Sequence, residues 1–492
     1  MMSHTRRERW LSILSTAFLV ALFIALVYKA ASVSFSTDEG YSYELYVGSD
    51  EFSLVRNYDA NLHVIHTFLT WLSVRLFGLS EINMRLPSLL GCVIYFAAVF
   101  QLGRHFFPRS LWRMVATCIL TLNPLVLDHM VVSRGYGLAL AFCAWGFYVA
   151  IRAVEQRTSG EWASPFPVAV WLALSIATNL VFLFPSVGLL AALSLAELRA
   201  PTPAATTAKL SRLLHELWGP WFVFTFLLLV VPLSGMEGDE FYFGAASLSE
   251  MLRSIADFSM RIDLVSNNVL WTAAWLLFGT ATVITVWMFR KTPQEQDALP
   301  LISSATFTIT VLGLLLAHQM FGILYPYART GIYLLFLIPV YLLGIASIAQ
   351  RSAPHRGRWL PLAWAVVVIG MATPLAVSIR FDRFAEWPFD TNAKRLLREI
   401  DADRRANGLA KVDIIATHPM KSTLEIYKEK DHLDWIGRIE DASSPVDYRP
   451  GYDYYVIYGE REISPGLELT DILTGLPSET RLAVPRRPKN GP

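Results

Sequence analysis

The sequence predicts an all-α polytopic membrane protein with roughly eleven transmembrane helices and a small C-terminal α/β domain. Apolar stretches of about twenty residues recur along most of the chain, and a helix of ~20 apolar residues crosses the ~30 Å hydrocarbon core of a bilayer. The 492 residues are 54% hydrophobic and only 17% charged. After residue 379 charged residues become common, which indicates a water-exposed part. The net charge of +1 argues against a nucleic-acid partner.

The apolar stretches define the individual spans. They cover residues 10–30, 86–103, 112–127, 135–151, a close pair within 168–195, 218–233, 269–289, 299–317, 331–348 and 360–379. The stretch 168–195 is too long for one helix, and Asn179 and Pro185 favour a break within it. The first span follows a basic N-terminus and has no small-residue cleavage site, so it is predicted to be retained as a helix.

Arg and Lys residues predict the orientation of these spans. With the N-terminus in the cytoplasm, the cytoplasmic loops are basic and the opposite loops are poor in Arg and Lys, which is the positive-inside pattern. The basic residues on the cytoplasmic side are Arg104, Arg109, Arg113, Arg152, Arg157, Arg199, Lys209, Arg212, Arg290, Lys291, Arg351, Arg356 and Arg358. We therefore expect a multi-pass protein of the inner (plasma) membrane with its C-terminal domain outside the cytoplasm.

Two domains are expected on this basis. Residues 1–380 form the transmembrane domain, with long outer loops at 31–85 and 235–266, and residues 381–492 form a soluble extracytoplasmic α/β domain. In the second domain, residues 391–407 predict a helix, and residues 412–417 and 452–458 predict strands bounded by Gly and Pro.

The first outer loop contains a predicted interfacial helix around residues 61–72. The apolar positions at helical spacing are Leu62, Ile65, Leu69 and Leu72. The polar positions on the opposite face are Asp59, His63, His66 and Thr70. Such a helix is expected to lie on the membrane with its polar groups toward water.

Two adjacent acids, Asp38 and Glu39, directly follow the first span. A carboxylate at this position could act as a general base on an acceptor hydroxyl. The residues from Ser36 to Glu39 also fit a capping box, so Glu39 has the alternative role of capping a helix. For Asp38 the alternative is an acid that stabilises a helix N-terminus.

Further ionisable residues cluster at the predicted outer membrane surface, where they are costly and usually functional. A short outer turn carries Asp128, His129, Arg134 and Tyr136, and a later span is preceded by Tyr325, Tyr327 and Arg329. Arg134 could bind a phosphate with two donors, or it could pair with Asp128. Arg329 is a second phosphate candidate, with a charge snorkelling at the interface as the alternative.

The sequence gives little support for a metal site, a disulfide framework, an ion pump or a nucleotide-driven enzyme. His63 and His66 share a helix face, but no further His or Cys cluster accompanies them, so no cofactor is predicted with certainty and a divalent cation is left open. The three cysteines lie within apolar runs and predict no disulfide framework. The spans lack a long row of charges, which argues against an ion pump. Without a P-loop or a GxGxxG motif, a nucleotide-driven enzyme is not expected.

Four segments carry a resemblance to a known family. They are residues 37–39 (TDE), 60–67 (ANLHVIHT), 76–81 (LFGLSE) with 84–90 (MRLPSLL), and 123–125 (NPL) with 133–136 (SRGY). In these segments the chain resembles the GT-C membrane glycosyltransferases, namely glycosyltransferase family 39 and the RgtA/B/C/D-like group. These are relatives of protein O-mannosyltransferases and lipid A aminoarabinose transferases. The chain departs from the family pattern at Val64, where the family has Pro, and at Val132, where Glu is common.

The resemblance implies a glycosyltransferase that moves a sugar from a polyprenyl-phosphate donor to an extracytoplasmic acceptor hydroxyl, with inversion. It implies Asp38 as the catalytic base, with Glu39 beside it. It also implies His63 as a neighbour of the base, and Arg134 and Arg329 as phosphate ligands. From the polar helix face and the outer turns described above, Asp59, His66, Tyr136 and Tyr325 are expected to bind substrate as well. The partners would be the lipid-linked donor, membrane lipid and a glycan, lipid or protein acceptor. A flippase of lipid-linked sugars and a non-catalytic scaffold are the alternatives.

Overall fold

The computed structural model describes residues 4–50, 61–108, 111–158, 163–199, 205–236, 243–260, 266–290, 298–352, 379–418, 420–444, 447–459, 467–476 and 479–486. The α-helices up to residue 352 are α1 (His4–Ser32), α2 (Thr37–Ser42), α3 (Val64–Phe77), α4 (Glu81–Phe106), α5 (Trp112–Thr121), α6 (Pro124–His129), α7 (Gly135–Thr158), α8 (Phe166–Thr178), α9 (Leu183–Arg199), α10 (Thr206–Leu213), α11 (Gly219–Ser234), α12 (Leu248–Met260), α13 (Asn267–Arg290), α14 (Ala298–Phe321) and α15 (Leu334–Ser352). The later elements are α16 (Ala393–Ala406), β1 (Val412–Thr417), α17 (Met420–Lys430), β2 (Ile436–Ala442), β3 (Tyr454–Tyr458), β4 (Leu469–Leu473) and β5 (Thr480–Pro485).

Within the described residues, eight helical segments are long and apolar enough to cross a membrane. They are Glu8–Ser32, Glu81–Phe106, Gly135–Gln156, Leu180–Arg199, Thr206–Ser234, Asn267–Arg290, Ala298–Phe321 and Ala328–Ile348. The apolar helices α3 and α8 are shorter. The protein is thus an all-α polytopic membrane protein with a small C-terminal sheet, as predicted. The predicted span at residues 360–379 lies almost entirely outside the described residues.

One predicted span is wrong. Residues 112–127 form no continuous helix, because α5 ends at Thr121 and α6 begins at Pro124. Proline lacks the N–H that a helix interior needs and disfavours helical backbone in the residue before it. Asn123 then caps α6, its Oδ1 accepting from the backbone N of Leu125 at 3.1 Å and of Val126 at 3.2 Å.

The predicted break within residues 168–195 is confirmed. Helix α8 ends at Thr178, Asn179 adopts an extended backbone, and a short 3-10 turn leads into α9. Pro185 lies in the first turn of α9 rather than in the break, because a proline is tolerated where the helical N–H groups have no acceptor.

Small residues allow the helices to approach closely near the centre of the bundle. A Cβ at Gly91 of α4 would lie 2.8 Å from the Cα of Leu138 in α7, which is closer than atoms can pack. Since apolar side chains gain little by leaving lipid for protein, close backbone packing of this kind is a main source of helix association in membranes. It also fixes α4 relative to the residues just before α7, which contribute to the site described below.

The polar face of α3 is turned toward the protein, so the expectation that it faces water is wrong. His66 and Thr70 are buried, whereas Phe68 and Leu72 are exposed. The reason lies in α4, because Ser88 Oγ lies 2.9 Å from His66 Nε2 and offers this face a hydrogen-bond partner. Asp59 lies outside the described residues.

The chain after residue 411 forms a five-stranded sheet with the order β2-β1-β3-β5-β4. Strand β1 pairs in parallel with β2 and β3, whereas β5 pairs antiparallel with β3 and β4. Helices α16 and α17 bury Leu396, Ile400 and Leu424 against one face of the sheet. The predicted helix and both predicted strands are confirmed, although α17, β2, β4 and β5 were not foreseen.

Helix α17 and the segment before α16 pack directly on α2, the helix that carries Asp38 and Glu39. A Cβ at Gly40 would overlap the carbonyl oxygen of Ser422, so a side chain at this position would separate the two helices. The backbone N of Phe35 donates to the Tyr427 hydroxyl at 3.0 Å. Asp390 accepts from the backbone N of Thr37 at 2.6 Å. The C-terminal part therefore fixes the position of α2.

The Asp390 carboxyl predicts a specific dependence of stability on pH. Burial raises its pKa to about 8, despite hydrogen bonds from Thr423 and Thr37. An unfolded Asp has a pKa of about 3.9. Between these values the native carboxyl keeps a proton that the unfolded chain has lost, so this contribution to stability is lost as the pH rises from about 4 to about 8.

We expect Asp390→Asn to remove this part of the pH dependence, because an amide does not titrate and, like the protonated acid, combines an acceptor oxygen with a donor group. Thermal unfolding at pH 5 and pH 8 measures it. The melting temperature should fall more from pH 5 to pH 8 in the wild type and in the exposed control Asp382→Asn than in Asp390→Asn. An equal loss in all three proteins would contradict the assignment.

Candidate active site

Helix α2 directs its two acids into different surroundings. The predicted capping box is confirmed, since Ser36 Oγ accepts from the backbone N of Glu39 at 3.3 Å and Glu39 Oε2 accepts from the backbone N of Ser36 at 2.8 Å. Glu39 is fully buried, and Arg85 donates to both of its oxygens, at 2.8 and 2.7 Å. The backbone N of Ser133 adds a further bond at 2.7 Å. With these donors around it, Glu39 holds α2, α4 and the turn before α7 together.

Asp38 lies between two guanidinium groups. Its Oδ2 is 3.4 Å from Nη2 of Arg134 and 3.3 Å from Nη2 of Arg329. Both contacts are ion pairs too long to be good hydrogen bonds, and Oδ2 has no hydrogen-bond partner within the described residues. Burial raises the pKa of Asp38, but Arg134, Arg329 and a hydrogen bond from Trp387 lower it more, so the pKa lies below its usual value. Asp38 is therefore ionised at neutral pH.

Arg134 and Arg329 keep unused donors beside Asp38. The side chain of Arg134 is 1% exposed, and its Nη2 donates to Asn61 Oδ1 at 2.8 Å. Nε and Nη1 of Arg134 and Nε of Arg329 are buried without a hydrogen-bond acceptor in the described part of the chain. Buried guanidinium donors without acceptors are strongly unfavourable, and an anion in this space would satisfy them.

A strained backbone presents Arg329 to the site. The preceding residue, Ala328, has a φ of 45°, a left-handed conformation that is uncommon outside glycine. Its backbone N donates to Ser254 Oγ at 3.0 Å, which helps to hold this conformation. Such strain is maintained where the surrounding structure requires it, often at functional sites.

Glu386 and Trp387 complete the surroundings of Arg329. Glu386 Oε1 lies 3.5 Å from Nη1 of Arg329, and Oε2 lies 2.9 Å from Nε2 of His129. The Arg329 guanidinium also stacks over the Trp387 ring, 5.5 Å from its centroid. The segment after the last predicted span thus reaches the same charged centre as α2.

Tyr136 lies between two of the histidines. Its ring centroid is 5.1 Å from that of His63 and 5.0 Å from that of His129. Tyr136 also forms a side-chain hydrogen bond with Arg329. Burial and the Arg134 cation lower the pKa of His63 well below its usual range, so its imidazole is neutral at pH 7. His63 Nε2 has no hydrogen-bond partner within the described residues, which makes it a second polar group available to a ligand.

The alternative of an Arg134–Asp128 ion pair is wrong. Asp128 Oδ1 instead pairs with Nζ of Lys29 at 2.5 Å, and its Oδ2 accepts from the backbone N of Ala385 at 2.8 Å. Lys29 comes from the end of α1, so the first span supplies the cation. Arg134 forms its ion pair with Asp38 instead.

The other predicted site residues take separate places. His66 bonds to Ser88, as described for α3. Tyr325 stacks on His318 with ring centroids 4.1 Å apart and pairs through its backbone with Ala245. Tyr327 contacts the ring of Phe243, and the Arg329 guanidinium lies over the same ring, 4.9 Å from its centroid.

Metal binding finds no ready-made ligand set in the described parts of the chain. No group of three or more His, Cys, Asp or Glu side chains there is arranged to hold an ion. His63 and His66 share a helix end, but their partners are Tyr136 and Ser88.

Sequence patterns missed four residues of this centre: Lys29, Glu386, Trp387 and Asp390. Lys29 could have been recognised from the sequence, because a lysine at the end of an apolar span is energetically costly unless it pairs with an acid. The other three follow the last predicted span without a recognisable motif, and Asp390 meets Thr37 across 353 residues of sequence. Nothing local in the sequence indicates a contact of that range.

Comparison with known proteins gives similarity only at the level of structure. No protein-family model and no curated protein matches the chain. The oligosaccharyltransferase of Archaeoglobus fulgidus, solved with zinc and sulfate, has a TM-score of 0.48 and 12% identity over 89% of this chain and 67% of its own. ArnT from Cupriavidus metallidurans bound to undecaprenyl phosphate has a TM-score of 0.42 and 14% identity over 96% and 97%. Both of these proteins are GT-C glycosyltransferases.

The arabinosyltransferase EmbB from Mycobacterium smegmatis is a further example, with a TM-score of 0.34 and 14% identity over 74% of this chain and 40% of its own. All three TM-scores lie below 0.5 and all three identities lie below 25%. The function of this chain therefore has to be inferred from its own residues.

Proposed function

We propose that this protein is an integral-membrane glycosyltransferase that moves a sugar from a polyprenyl-phosphate donor to an acceptor hydroxyl. The observation that carries the proposal is the charged centre: an ionised Asp38 loosely paired with two guanidiniums that keep unused donors. A sugar phosphate ester needs a group that accepts a proton from the acceptor and groups that stabilise the departing phosphate. The centre contains both within contact distance.

The reaction follows from these two roles. The acceptor hydroxyl transfers its proton to Asp38 while its oxygen forms a bond to the anomeric carbon. The bond between that carbon and the phosphate oxygen breaks, and its electron pair leaves with the polyprenyl phosphate. Arg134 and Arg329 stabilise the charge on this leaving group, because a fixed guanidinium at membrane level replaces the water that would otherwise solvate it. A single displacement inverts the anomeric configuration.

The loose ion pairs of Asp38 explain how one centre can serve as base and anion site. In the described state both guanidiniums hold the pKa of Asp38 low, which makes it a weak base. A bound phosphate competes for the same two cations and withdraws them from the carboxylate. The basicity of Asp38 then rises only when the donor is in place.

The location of the reaction is part of the proposal. The charge pattern of the loops favours a cytoplasmic N-terminus, an outer face for Asp38 and Arg134, and an extracytoplasmic domain from residue 381. A polyprenyl-phosphate sugar would enter this face from the bilayer. Tyr136 and His63 are proposed to contact the sugar or phosphate, since Tyr136 forms a hydrogen bond with Arg329 and His63 packs against Tyr136.

Substitution of Arg134 tests the phosphate site. We expect Arg134→Lys to weaken polyprenyl phosphate binding and to lower turnover by about tenfold to a hundredfold, because lysine is a point charge without the planar pair of donors. The control is Arg104→Lys, at a half-exposed arginine whose only ion pair in the described structure, with Glu8, is 3.9 Å long. Unchanged binding and turnover in Arg134→Lys would remove Arg134 from the site.

Direct assay separates transfer from transport. The purified protein in detergent is given a radiolabelled polyprenyl-phosphate sugar and a mixture of extracted envelope glycans and lipids. We expect label to move to an acceptor and free polyprenyl phosphate to appear. Movement of intact lipid-linked sugar across a proteoliposome membrane without cleavage would instead support a flippase.

A further inference from the structure

Glu386 lies at the junction of two charged groups and is itself nearly inaccessible. Its side chain is 5% exposed and contacts Arg329 through one oxygen and His129 through the other. Burial raises the pKa of Glu386, but Arg329 and His129 lower it more, so the carboxylate is ionised at neutral pH. Neither the motifs of the sequence nor the proposed reaction assigns this residue a part.

Glu386 is a second carboxylate beside the two guanidiniums of the centre. Two guanidiniums, Arg134 and Arg329, face two carboxylates, Asp38 and Glu386. A phosphate would therefore meet two cations that are already partly neutralised. Without Glu386 the same space would carry one more net positive charge, and opposite charges in contact attract strongly where water is excluded.

We propose that Glu386 is a positioning residue that holds Arg329 in place and limits how tightly the site binds polyprenyl phosphate. The inference rests on the proposed function, in which this lipid phosphate is the product. A site that stabilises the departing phosphate must also release it, because product held too tightly limits turnover. Glu386 offsets one of the two cations and so favours release.

The neighbouring Trp387 supports a positioning role for residues 386–390 as a whole. Its indole N–H donates to Asp38, while its ring lies under the Arg329 guanidinium. Glu386 and Trp387, which are adjacent in the chain, thus contact Arg329, and Trp387 also contacts Asp38. The segment is anchored at its other end by Asp390, whose carboxyl accepts from Thr423 Oγ1 at 2.7 Å. On the other side of Glu386, the backbone N of Ala385 donates to Asp128 Oδ2 at 2.8 Å, so Glu386 lies between anchored neighbours.

The test compares Glu386→Gln with the wild type, the charge-retaining Glu386→Asp and the exposed control Asp382→Asn. Undecaprenyl phosphate binding is measured in detergent micelles at pH 7, beside the first turnover and the steady-state rate. We expect Glu386→Gln to bind undecaprenyl phosphate about fivefold to tenfold more tightly. Its steady-state rate should fall by a similar factor while its first turnover is retained. Glu386→Asp and Asp382→Asn should bind as the wild type does.

The outcomes separate this inference from the proposed function. A wild type that binds undecaprenyl phosphate but transfers no sugar from any lipid-linked donor contradicts the proposed function. A wild type that transfers sugar, together with equal or weaker phosphate binding in Glu386→Gln, overturns the role of Glu386. If Glu386→Gln does not fold, Glu386→Ser is compared with Glu386→Asp, because only the serine variant removes the charge.

Discussion

Asp38→Asn is expected to lower sugar transfer by about 10² to 10⁴, the usual range for losing a general base. The amide keeps the size of the side chain but cannot take a proton from the acceptor. In the structure the Asp38 carboxylate is paired with the same two guanidiniums that would hold the phosphate. Undecaprenyl phosphate should therefore bind to Asp38→Asn at least as tightly as to the wild type. Turnover and binding assays on the purified protein measure the two effects separately.

The control for this variant is Asp50→Asn. Asp50 belongs to the same predicted outer loop, but its side chain is 98% exposed and pairs only with a partly exposed Arg75 among the described residues. Its transfer rate should stay at the wild-type value, since exposed ion pairs contribute little. A rate near wild type in Asp38→Asn would exclude Asp38 as the base. A joint loss of transfer and phosphate binding would point to collapse of the site instead.

Glu39→Gln is expected to have the largest effect on stability, about 3–5 kcal/mol. Capping alone would predict a loss of only about 1 kcal/mol. The larger value follows from Arg85, which is fully buried and has Glu39 as its carboxylate partner. Removing the carboxylate leaves that guanidinium charge uncompensated in the interior. Denaturant or thermal unfolding in detergent, with activity measured on the remaining folded fraction, gives the result.

A double variant provides the check on this assignment. In Glu39→Gln combined with Arg85→Leu the buried charge is gone, so the combined loss should be smaller than the sum of the two single losses by at least about 1 kcal/mol. Additive losses would mean that the two side chains act independently. A loss of only about 1 kcal/mol in Glu39→Gln would favour a purely capping role.

The features that the sequence predicted correctly depend on local patterns. The capping box spans four residues, and the break near Asn179 depends on one polar residue in an apolar run, so each could be recognised without knowledge of the rest of the chain. Apolar run length likewise predicted most of the membrane helices. The single span at residues 112–127 failed because its apolar composition hid the effect of Pro124 on the backbone.

The partners of charged residues could not be predicted in the same way. Asp128 lies six positions before Arg134, which made their pairing plausible, yet Lys29 from α1 occupies that carboxylate. Which cation reaches an acid depends on helix packing rather than on distance along the chain. Glu386 meets His129 across 257 residues, and no pattern in the sequence connects them. The acids and arginines could be found as candidates, whereas the network that links them required the three-dimensional structure.

The packing of α2 against the C-terminal part has a consequence for the order of folding. Thr37 of α2 is synthesised 353 residues before Asp390, with which it forms a hydrogen bond. At roughly 5–20 residues per second, the delay is on the order of 20–70 s. Contacts of such long range form slowly, because the chain must lose much of its freedom before they contribute. A chain synthesised only as far as residue 380 therefore lacks Glu386 and Trp387 beside Asp38, and the charged centre can form only after this later segment has been made.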